Sequence, residues 1–426
     1  MKNFFENKDF IPKVKLQRNS SVSFLKPFVV NSQINSALQY IIDAFNSSDS
    51  VEVGYTTIEK SGKLDNPSLK KKSIWLTGNS LRSHLSNETF FNYTCVTNAT
   101  PDEIKMILSK SEKDFQEIKP HGEIGNIEKY SNLPERSDNK FVFYVSKIDE
   151  QNNEMEITVE VNNNKIFIST LNKNIKFKIG KNKLREFTAS LVEDAKGRDF
   201  SVNAIYLKLK NSEGENTEIF DPVGGMHDIS HKQIKLLHSP EMTFKANPSL
   251  IITICELSAR YNKDKKINSE LLSSIKNLID DLDDDFKLFN KTFKNAINRE
   301  ATPLFSFLNN MYFTKMLDKM FPDLKITMPH IGLPRYYDFI IGYTLHENEK
   351  TKIVEVLEQN GFNKFEIREV LFVVDLTKWT KTESSELLQD ILDHRNNQSI
   401  SKIYNYLKVF GKDLIFKNLA KKYLED

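Results

Sequence analysis

The hydrophobic pattern of this chain changes its period once, and that change constrains the fold more than any other feature. From Met155 to Val161 apolar residues alternate: Met155, Ile157, Val159 and Val161 face one way, and Glu154, Glu156, Thr158 and Glu160 the other. A repeat of two lays one face of a strand on a core. Ser73–Thr77, Phe91–Val96 and Phe141–Ser146 read as further strands. Beyond Asn247 no such alternation recurs. Leu250–Ala259, Leu271–Leu278, Leu304–Met316, Ile353–Gln359 and Ile403–Leu407 all carry helical spacing. Two periods in separate stretches predict an α+β chain, with a small mixed sheet and flanking helices first and an all-helical remainder after it.

At 426 residues the chain holds two to four domains of ordinary size. Residues 1–34 lack periodicity and read as an N-terminal arm. Residues 35–225 form the strand-rich domain, 226–300 a first helical segment and 301–426 a second. Asn35–Asn46 places Leu38, Ile41, Ile42 and Phe45 on one face of a helix, and Ser80–Leu85 is a second helical stretch. Thr100-Pro101-Asp102-Glu103 combines a hydroxyl cap, a proline at the first helical position and a glutamate at the third. It therefore opens a helix over Asp102–Ser109. Gly122–Asn139 reads as loop, and Trp75 and Trp379 are expected inside.

Charge and cysteine content exclude several classes of function. The 60 Lys and Arg against 58 Asp and Glu leave a net charge of +2, so nucleic acid would have to bind through a local patch. No apolar run approaches the roughly 20 residues of a membrane span, and MKNFFENKDF has no apolar core of a secretory signal. No membrane partner is expected. Cys95 and Cys255 each lie in an apolar run, too few for a disulfide framework or a zinc site, which fits the cytoplasm or another reducing compartment. Lys, Asn, Ile and Phe are abundant while Gly and Pro are sparse, a compositional bias that discounts lone lysines.

Six segments follow one another in a telling order. Ile74–Thr77 runs into Gly78-Asn79-Ser80-Leu81-Arg82-Ser83. Asn92-Tyr93-Thr94-Cys95-Val96-Thr97 is followed by Ala99-Thr100-Pro101-Asp102-Glu103, and then by His121-Gly122. Ser190-Leu191-Val192-Glu193-Asp194 precedes Gly197-Arg198-Asp199-Phe200-Ser201-Val202-Asn203-Ala204. Asp221-Pro222-Val223-Gly224-Gly225-Met226-His227-Asp228 closes the series. From about Ile74 to Tyr261 this order resembles the class II tRNA nucleotidyltransferases (CCA-adding enzymes) and bacterial-type poly(A) polymerases. The resemblance implies a nucleotidyltransferase head, with residues 226–300 as a helical neck and 301–426 as body and tail. It does not separate CCA-adding from poly(A)-adding ancestry.

That family's chemistry is phosphoryl transfer through two Mg²⁺ ions that clamp the attacking and leaving oxygens. Carboxylates at i and i+2 on a strand share a face and so suit two metals. Here the matching positions are Asn92 and Thr94, both neutral, while Glu156 is the candidate for a remaining third carboxylate. The loop that brings backbone N–H groups to a triphosphate keeps Gly78 and Arg82 but has Asn79 and Ser83 where the family has glycine and aspartate. The segment whose aspartate and arginine read the incoming base becomes Ala246-Asn247-Pro248-Ser249-Leu250, and neither Asn247 nor Leu250 can repeat those charged contacts. Gly78, Arg82, Arg198, Asp199 and Asn203 are the retained nucleotide-binding candidates; Asp221, Gly224 and Gly225 could equally hold the fold.

Other signals have plainer readings. Asp280–Asp285 lacks the glycine and distal glutamate of a calcium loop and reads as a solvated helix end. No histidine spacing makes a metal site, and His121 and His227 read as structural. Gly224-Gly225 is a turn first and a phosphate cradle second. Lys70–Lys72 precede the Gly78 strand. Lys402, Lys408, Lys412, Lys417, Lys421 and Lys422 are interspersed with Tyr404, Tyr406 and Phe410, a mixture that could bind RNA or could be a helix with an aromatic core side.

The expected function is thus a nucleotidyltransferase-fold pseudoenzyme that binds RNA, such as a tRNA-like molecule or a 3′ end, or serves as a scaffold for a protein partner or an active paralogue. No cofactor is expected. The alternative is an active enzyme that adds CTP or ATP to RNA 3′ ends with an eroded site, and it would require Mg²⁺.

Overall fold

The computed structural model of the chain describes residues 13–15, 32–47, 72–86, 88, 92–110, 115–117, 141–148, 154–161, 164–174, 185–187, 190–209, 218–329, 332, 334–382 and 400–414. Lys70, Lys71, Phe91, His121, Gly122, the Gly122–Asn139 stretch, Lys417, Lys421 and Lys422 lie outside the described residues. The chain divides into two compact units, Met1–His231 with Lys235–Leu237, and Lys232–Ile234 with His238–Asp426. The class is α+β, a mixed sheet with flanking helices followed by helices alone.

The strands of the first unit are β1 (Lys13–Lys15), β2 (Ile74–Thr77), β3 (Tyr93–Thr97), β4 (Phe115–Glu117), β5 (Phe141–Ile148), β6 (Glu154–Val161), β7 (Asn164–Thr170), β8 (Asn172–Asn174), β9 (Arg185–Phe187), β10 (Tyr206–Lys208) and β11 (Glu218–Phe220). Nine of them form one sheet in the order β1-β11-β10-β2-β3-β7-β6-β5-β4, and β8 and β9 make a separate pair. β3 runs parallel to β7 and β4 parallel to β5, while the other neighbours in the sheet are antiparallel. Two stretches inside the segment read as an arm are regular: Lys13–Lys15 pairs with β11, and α1 (Ser32–Ser47) begins before Asn35.

Alternation assigns the two faces of the sheet as a repeat of two requires. On one face Ile74, Leu76, Tyr93, Cys95, Ile157, Val159, Ile166 and Ile168 pack with Leu38, Ile41 and Phe45 of α1. α2 (Gly78–Leu85) adds Leu81, and α3 (Pro101–Lys110) adds Ile104, Ile107 and Leu108. The start of α3 is the expected capping box: Glu103 N–H donates to Thr100 Oγ1 at 3.3 Å, and Thr100 N–H to Glu103 Oε2 at 2.8 Å. On the other face Trp75, Val96, Ala204 and Tyr206 pack with Ala195 of α4 (Leu191–Lys196). Thr94, Glu156, Thr158, Glu160, Lys165 and Ser169 also lie on this second face.

A short 3₁₀ turn, Ser201–Asn203, leads into β10, and α5 (Gly225–Ser230) packs against it. Gly225 allows this contact, because a Cβ there would lie 2.3 Å from the Ser201 carbonyl oxygen. Asp221 closes the turn, with its carboxylate accepting Gly225 N–H at 2.7 Å and Met226 N–H at 2.8 Å. Gly224 takes φ +80° at the cap. Asp221, Gly224 and Gly225 therefore act here as a turn and a close approach.

The second unit is helical in its described residues: α6 (Pro240–Ala246), α7 (Leu250–Tyr261), α8 (Ser269–Leu278), α9 (Phe286–Asn298), α10 (Leu304–Phe313), α11 (Met316–Met320), α12 (Tyr337–Leu345), α13 (Lys350–Gln359), α14 (Lys364–Thr382) and α15 (Ile400–Val409). The helix read across Leu304–Met316 is in fact two, broken at Lys315, whose φ is 60°. Gly342 in α12 lets α14 approach, since a Cβ there would lie 2.5 Å from Val373 Cβ. Trp379, Tyr406 and Ile403 join α14 to α15 in one core. The acidic run ends as expected at a helix start, with Asp285 capping Leu288 N–H at 3.0 Å.

Candidate functional site

β2 and β10 are hydrogen-bonded neighbours, and this brings the ends of two distant segments together. Gly78, at φ +63°, starts α2 directly from the end of β2. A Cβ on Gly78 would lie 3.6 Å from Thr94 Cγ2 and 3.8 Å from Arg198 Nη1, so Gly78, Thr94 and Arg198 share one corner. Ser80 ties the corner to β3, its hydroxyl accepting Thr94 N–H at 3.0 Å.

Two arginines converge on Asn203. Arg82, 3% exposed, donates to the side-chain oxygens of both Asn203 and Asn79. Arg198 Nη1 donates to the Asn203 main-chain oxygen at 2.9 Å. The other side of Arg198 is bound to Asp194, with Nε and Nη2 each 2.9 Å from Oδ2, and Tyr206 donates its hydroxyl to the same oxygen at 2.6 Å. The guanidinium lies 5.1 Å from the Tyr206 ring centre. Burial works against the Arg198 charge, yet Asp194 and Tyr206 together hold its pKa above the ordinary value. Burial also raises the Tyr206 hydroxyl, which stays protonated. Gly78, Arg82, Thr94, Arg198 and Asn203 are thus assembled. Asp199 flanks them, its main-chain oxygen accepting Leu237 N–H at 3.0 Å.

The positions that the resemblance assigns to metal have a different chemistry. Asn92 precedes β3, is exposed, and its side-chain oxygen accepts Lys165 N–H at 2.8 Å. Thr94 is half-buried and presents its methyl to Gly78. Glu156 does not face them. Its register row runs Val96–Ser169–Glu156, whereas the row of Thr94 runs through Phe167 to Thr158. Glu156 is therefore about 10 Å across and about 7 Å along the sheet from Thr94, and it accepts the Ser169 hydroxyl at 3.2 Å. Glu160 is paired in register with Lys165, at an ion-pair distance of 3.8 Å, and accepts the Tyr144 hydroxyl at 3.2 Å. Among the described residues no group of three or more His, Cys, Asp or Glu is placed to hold a metal. A pair of Mg²⁺ ions between carboxylates and a triphosphate does not fit an amide, a hydroxyl and carboxylates that already serve protein donors.

The positions that the resemblance assigns to base reading, Asn247 and Leu250, lie in the second unit and have local roles. Asn247 Oδ1 accepts Ser249 N–H at 3.2 Å and the Ser249 hydroxyl at 2.7 Å, an Asx turn that starts α7. Leu250 is the first residue of that helix. In the C-terminal basic stretch Tyr406 is fully buried and Phe410 packs against the same core, while Tyr404 is half-buried outside it.

Sequence reading missed Asp194, Tyr206, Tyr144, Glu160 and Lys165 as site residues. Asp194 carried a signal: its spacing of four from Arg198 is the helical ion-pair spacing. Tyr144, Glu160 and Lys165 meet only through strand register, which no motif reports.

Comparison with known proteins bears on the fold. Residues 129–235 match the family model described as the poly(A) polymerase head domain. A CCA-adding enzyme of Staphylococcus saprophyticus is 25% identical over 181 residues, which is 42% of this chain and 34% of that enzyme. Poly(A) polymerase I of Salmonella typhi is 29% identical over 107 residues, 25% of this chain and 22% of the relative. The chain thus spans about a third or less of the length of these curated relatives. The structure of a Thermotoga maritima CCA-adding enzyme complexed with tRNA has the same fold, with a TM-score of 0.55 at 13% identity, covering 92% of this chain and 83% of that one.

Proposed function

We propose that this chain, which belongs through its head to the family of CCA-adding enzymes and poly(A) polymerases, has lost metal-dependent nucleotidyl transfer and binds RNA. The observation that carries this reading is Asn92. Its side-chain oxygen accepts a main-chain N–H of β7, its other terminal group is an uncharged amide NH2, and Thr94 beside it offers only a hydroxyl and a methyl. Neither residue can offset the charge of a cation as a carboxylate does. Asn247 and Leu250, which carry no charge where the base is read, point the same way.

Retained features favour RNA as the partner. Arg82 and Arg198, the latter paired with Asp194, keep two guanidiniums beside the N-terminus of α2, and a solved relative is complexed with tRNA. Among the described residues no helix is long and apolar enough to cross a membrane. The reading places the protein in the cytoplasm or another reducing compartment, working beside an active paralogue or a protein partner. Gly78, Arg82, Arg198, Asp199 and Asn203 form its phosphate-facing corner, within a head at 35–225 that precedes a helical neck and body.

The test uses purified chain, Mg²⁺ and labelled CTP or ATP with a tRNA lacking its 3′ end and with an oligo(A) primer. No extension is expected, while filter binding retains RNA and loses it steeply as salt rises. Extension that disappears on Asn92→Ala would establish the enzymatic alternative, and absence of RNA retention at low salt would remove the binding reading.

A further inference from the structure

Asn310 fixes a basic loop against a helix that exposes aromatic rings. Its side-chain amine, at a residue 3% exposed, donates to the Cys255 carbonyl of α7 at 3.1 Å and to the Lys265 carbonyl at 3.2 Å. The Lys263–Lys266 loop that follows α7 is thereby held to one flank of α10. Phe313, three residues beyond Asn310, lies about 60° round the helix from it. Tyr312 and Phe305 sit on the outer face, separated by two turns and nearly eclipsed. These rings are 49%, 43% and 56% exposed, and Tyr312 meets Phe313 edge to face at 5.8 Å.

Charge collects at the same end of the helix. Lys263, Lys265 and Lys266 are exposed, and so is Lys315, two residues past Phe313. Four lysines against Asp264 and Asp318, the latter close enough to Lys315 to feel its charge, leave +2, and Asp264 already accepts Lys266 N–H at 3.1 Å. Lys265 and Lys315 both have φ near 60°, a conformation that L side chains rarely adopt. Contacts with α10 hold each of them, through Asn310 for Lys265 and through Lys315 N–H to Tyr312 O at 3.0 Å.

We propose that the outer face of α10, together with the lysines at its C-terminal end, is a docking surface for single-stranded RNA. The inference rests on the reading that this chain binds RNA and moves part of that binding from the head to the helical unit. Bases present flat π faces to exposed rings whatever their sequence, and phosphates need cations alongside. An α10 face of exposed Phe and Tyr, with Lys315 just beyond its end and the Lys263–Lys266 loop on the flank nearest Phe313, offers both. A duplex hides its base faces and can use only the lysines.

Anisotropy of a fluorescent oligo(A) RNA with the full-length chain tests this, beside a duplex of equal length. Tyr312→Ala with Phe313→Ala is expected to weaken oligo(A) binding about tenfold or more, and duplex binding by far less. Lys265→Gln with Lys315→Gln is expected to flatten the salt dependence by about 0.7 for each phosphate that is no longer neutralised. Phe365→Ala, which removes an exposed ring on α14, is the control and leaves affinity unchanged. Should the double alanine variant not fold, Phe313→Leu keeps the apolar bulk and removes only the π face. Affinity unmoved by loss of the rings overturns the α10 surface while leaving RNA binding elsewhere. A wild-type chain that retains no oligo(A) at low salt overturns both this surface and the RNA reading.

Discussion

The side-chain oxygen of Asn92 accepts the main-chain N–H of Lys165 at 2.8 Å and pins the start of β3 to β7. An aspartate could make the same bond with one oxygen and offer the other to a cation. Asparagine keeps the first role and places an N–H donor where the second oxygen would be. The bond that holds the sheet is therefore kept, and the position carries no negative charge. Lys165 itself is anchored on the same face, its ammonium donating to the Tyr144 hydroxyl at 3.2 Å beside Glu160.

Replacing both neutral positions tests whether the metal site can be rebuilt. Asn92→Asp with Thr94→Asp is expected to make the melting temperature rise with Mg²⁺, whereas that of the wild type stays flat. Saturation at about a hundred times Kd corresponds to about 2.7 kcal/mol. Without metal the added carboxylates repel each other and lower stability by about 1 kcal/mol. Primer extension stays absent, because Asn247 and Leu250 remain uncharged. Equal stabilisation of the wild type by Mg²⁺ would show that other carboxylates hold the ion.

Buried Asp194 neutralises a half-buried arginine, so its removal is expected to be costly. Asp194→Ala leaves Arg198 without its carboxylate and should lower unfolding free energy in urea by about 3–5 kcal/mol. Tyr206→Phe removes one charge-assisted bond of 2.6 Å and should cost about 1.5–3 kcal/mol. The two effects are expected to be non-additive, since both act on the same oxygen. Additive losses would mean that the three residues do not form one unit.

Local signals were legible in the sequence where a short segment determines its own structure. The Thr100–Glu103 capping box, the alternation of β6 and the change to helical spacing after Asn247 each need only a few adjacent residues. The strands β1, β10 and β11, of three residues each, carry too little pattern to be read and exist because neighbours supply their hydrogen bonds. The site shows the same division. Gly78, Arg82, Arg198 and Asn203 were found through motif order, but the contact of Arg82 with Asn203 spans 121 positions and follows only from sheet order. Glu156 was placed by its polar face, yet strand register moves it away from Thr94. Aromatic content alone does not separate core from surface: Tyr406 of α15 and Phe307 of α10 are buried, while Phe305, Tyr312 and Phe313 of α10 are exposed.

The adjacent glycines of the α5 turn should respond differently to a methyl group. Gly225→Ala drives its Cβ against the Ser201 carbonyl oxygen at 2.3 Å and Ile205 Cγ1 at 2.8 Å. Overpacking of this kind costs about 1–3 kcal/mol, and it displaces the turn that carries Asn203 and, through it, both arginines. Gly224→Ala meets no atom within 4 Å and suffers only the strain of φ +80°, about 1–2 kcal/mol. Both variants are compared by urea unfolding and by RNA retention. Gly225→Ala is expected to lose more of both, and equal losses would mean that backbone strain, not the close approach, sets the requirement.

Both cysteines and one tyrosine of the sheet make the protein sensitive to alkali. Burial pushes the Cys95 and Cys255 thiols up to about 12, and burial followed by the nearby Cys95 raises Tyr93 to about 12. In the unfolded chain these groups ionise near their ordinary values of about 8.5 to 10. Each folded-state pKa is raised, so the stabilisation is fully present below the unfolded values and is lost as pH rises through the folded ones. Between about pH 9 and 12 the unfolded chain binds fewer protons, and stability falls by up to about 1.4 kcal/mol per pH unit for each group. Urea midpoints should therefore be level to about pH 8.5 and decline above it. At pH 8 iodoacetamide should leave both thiols of the folded chain unmodified and alkylate both in urea. Rapid alkylation of the folded protein would place at least one of these thiols outside the packed core.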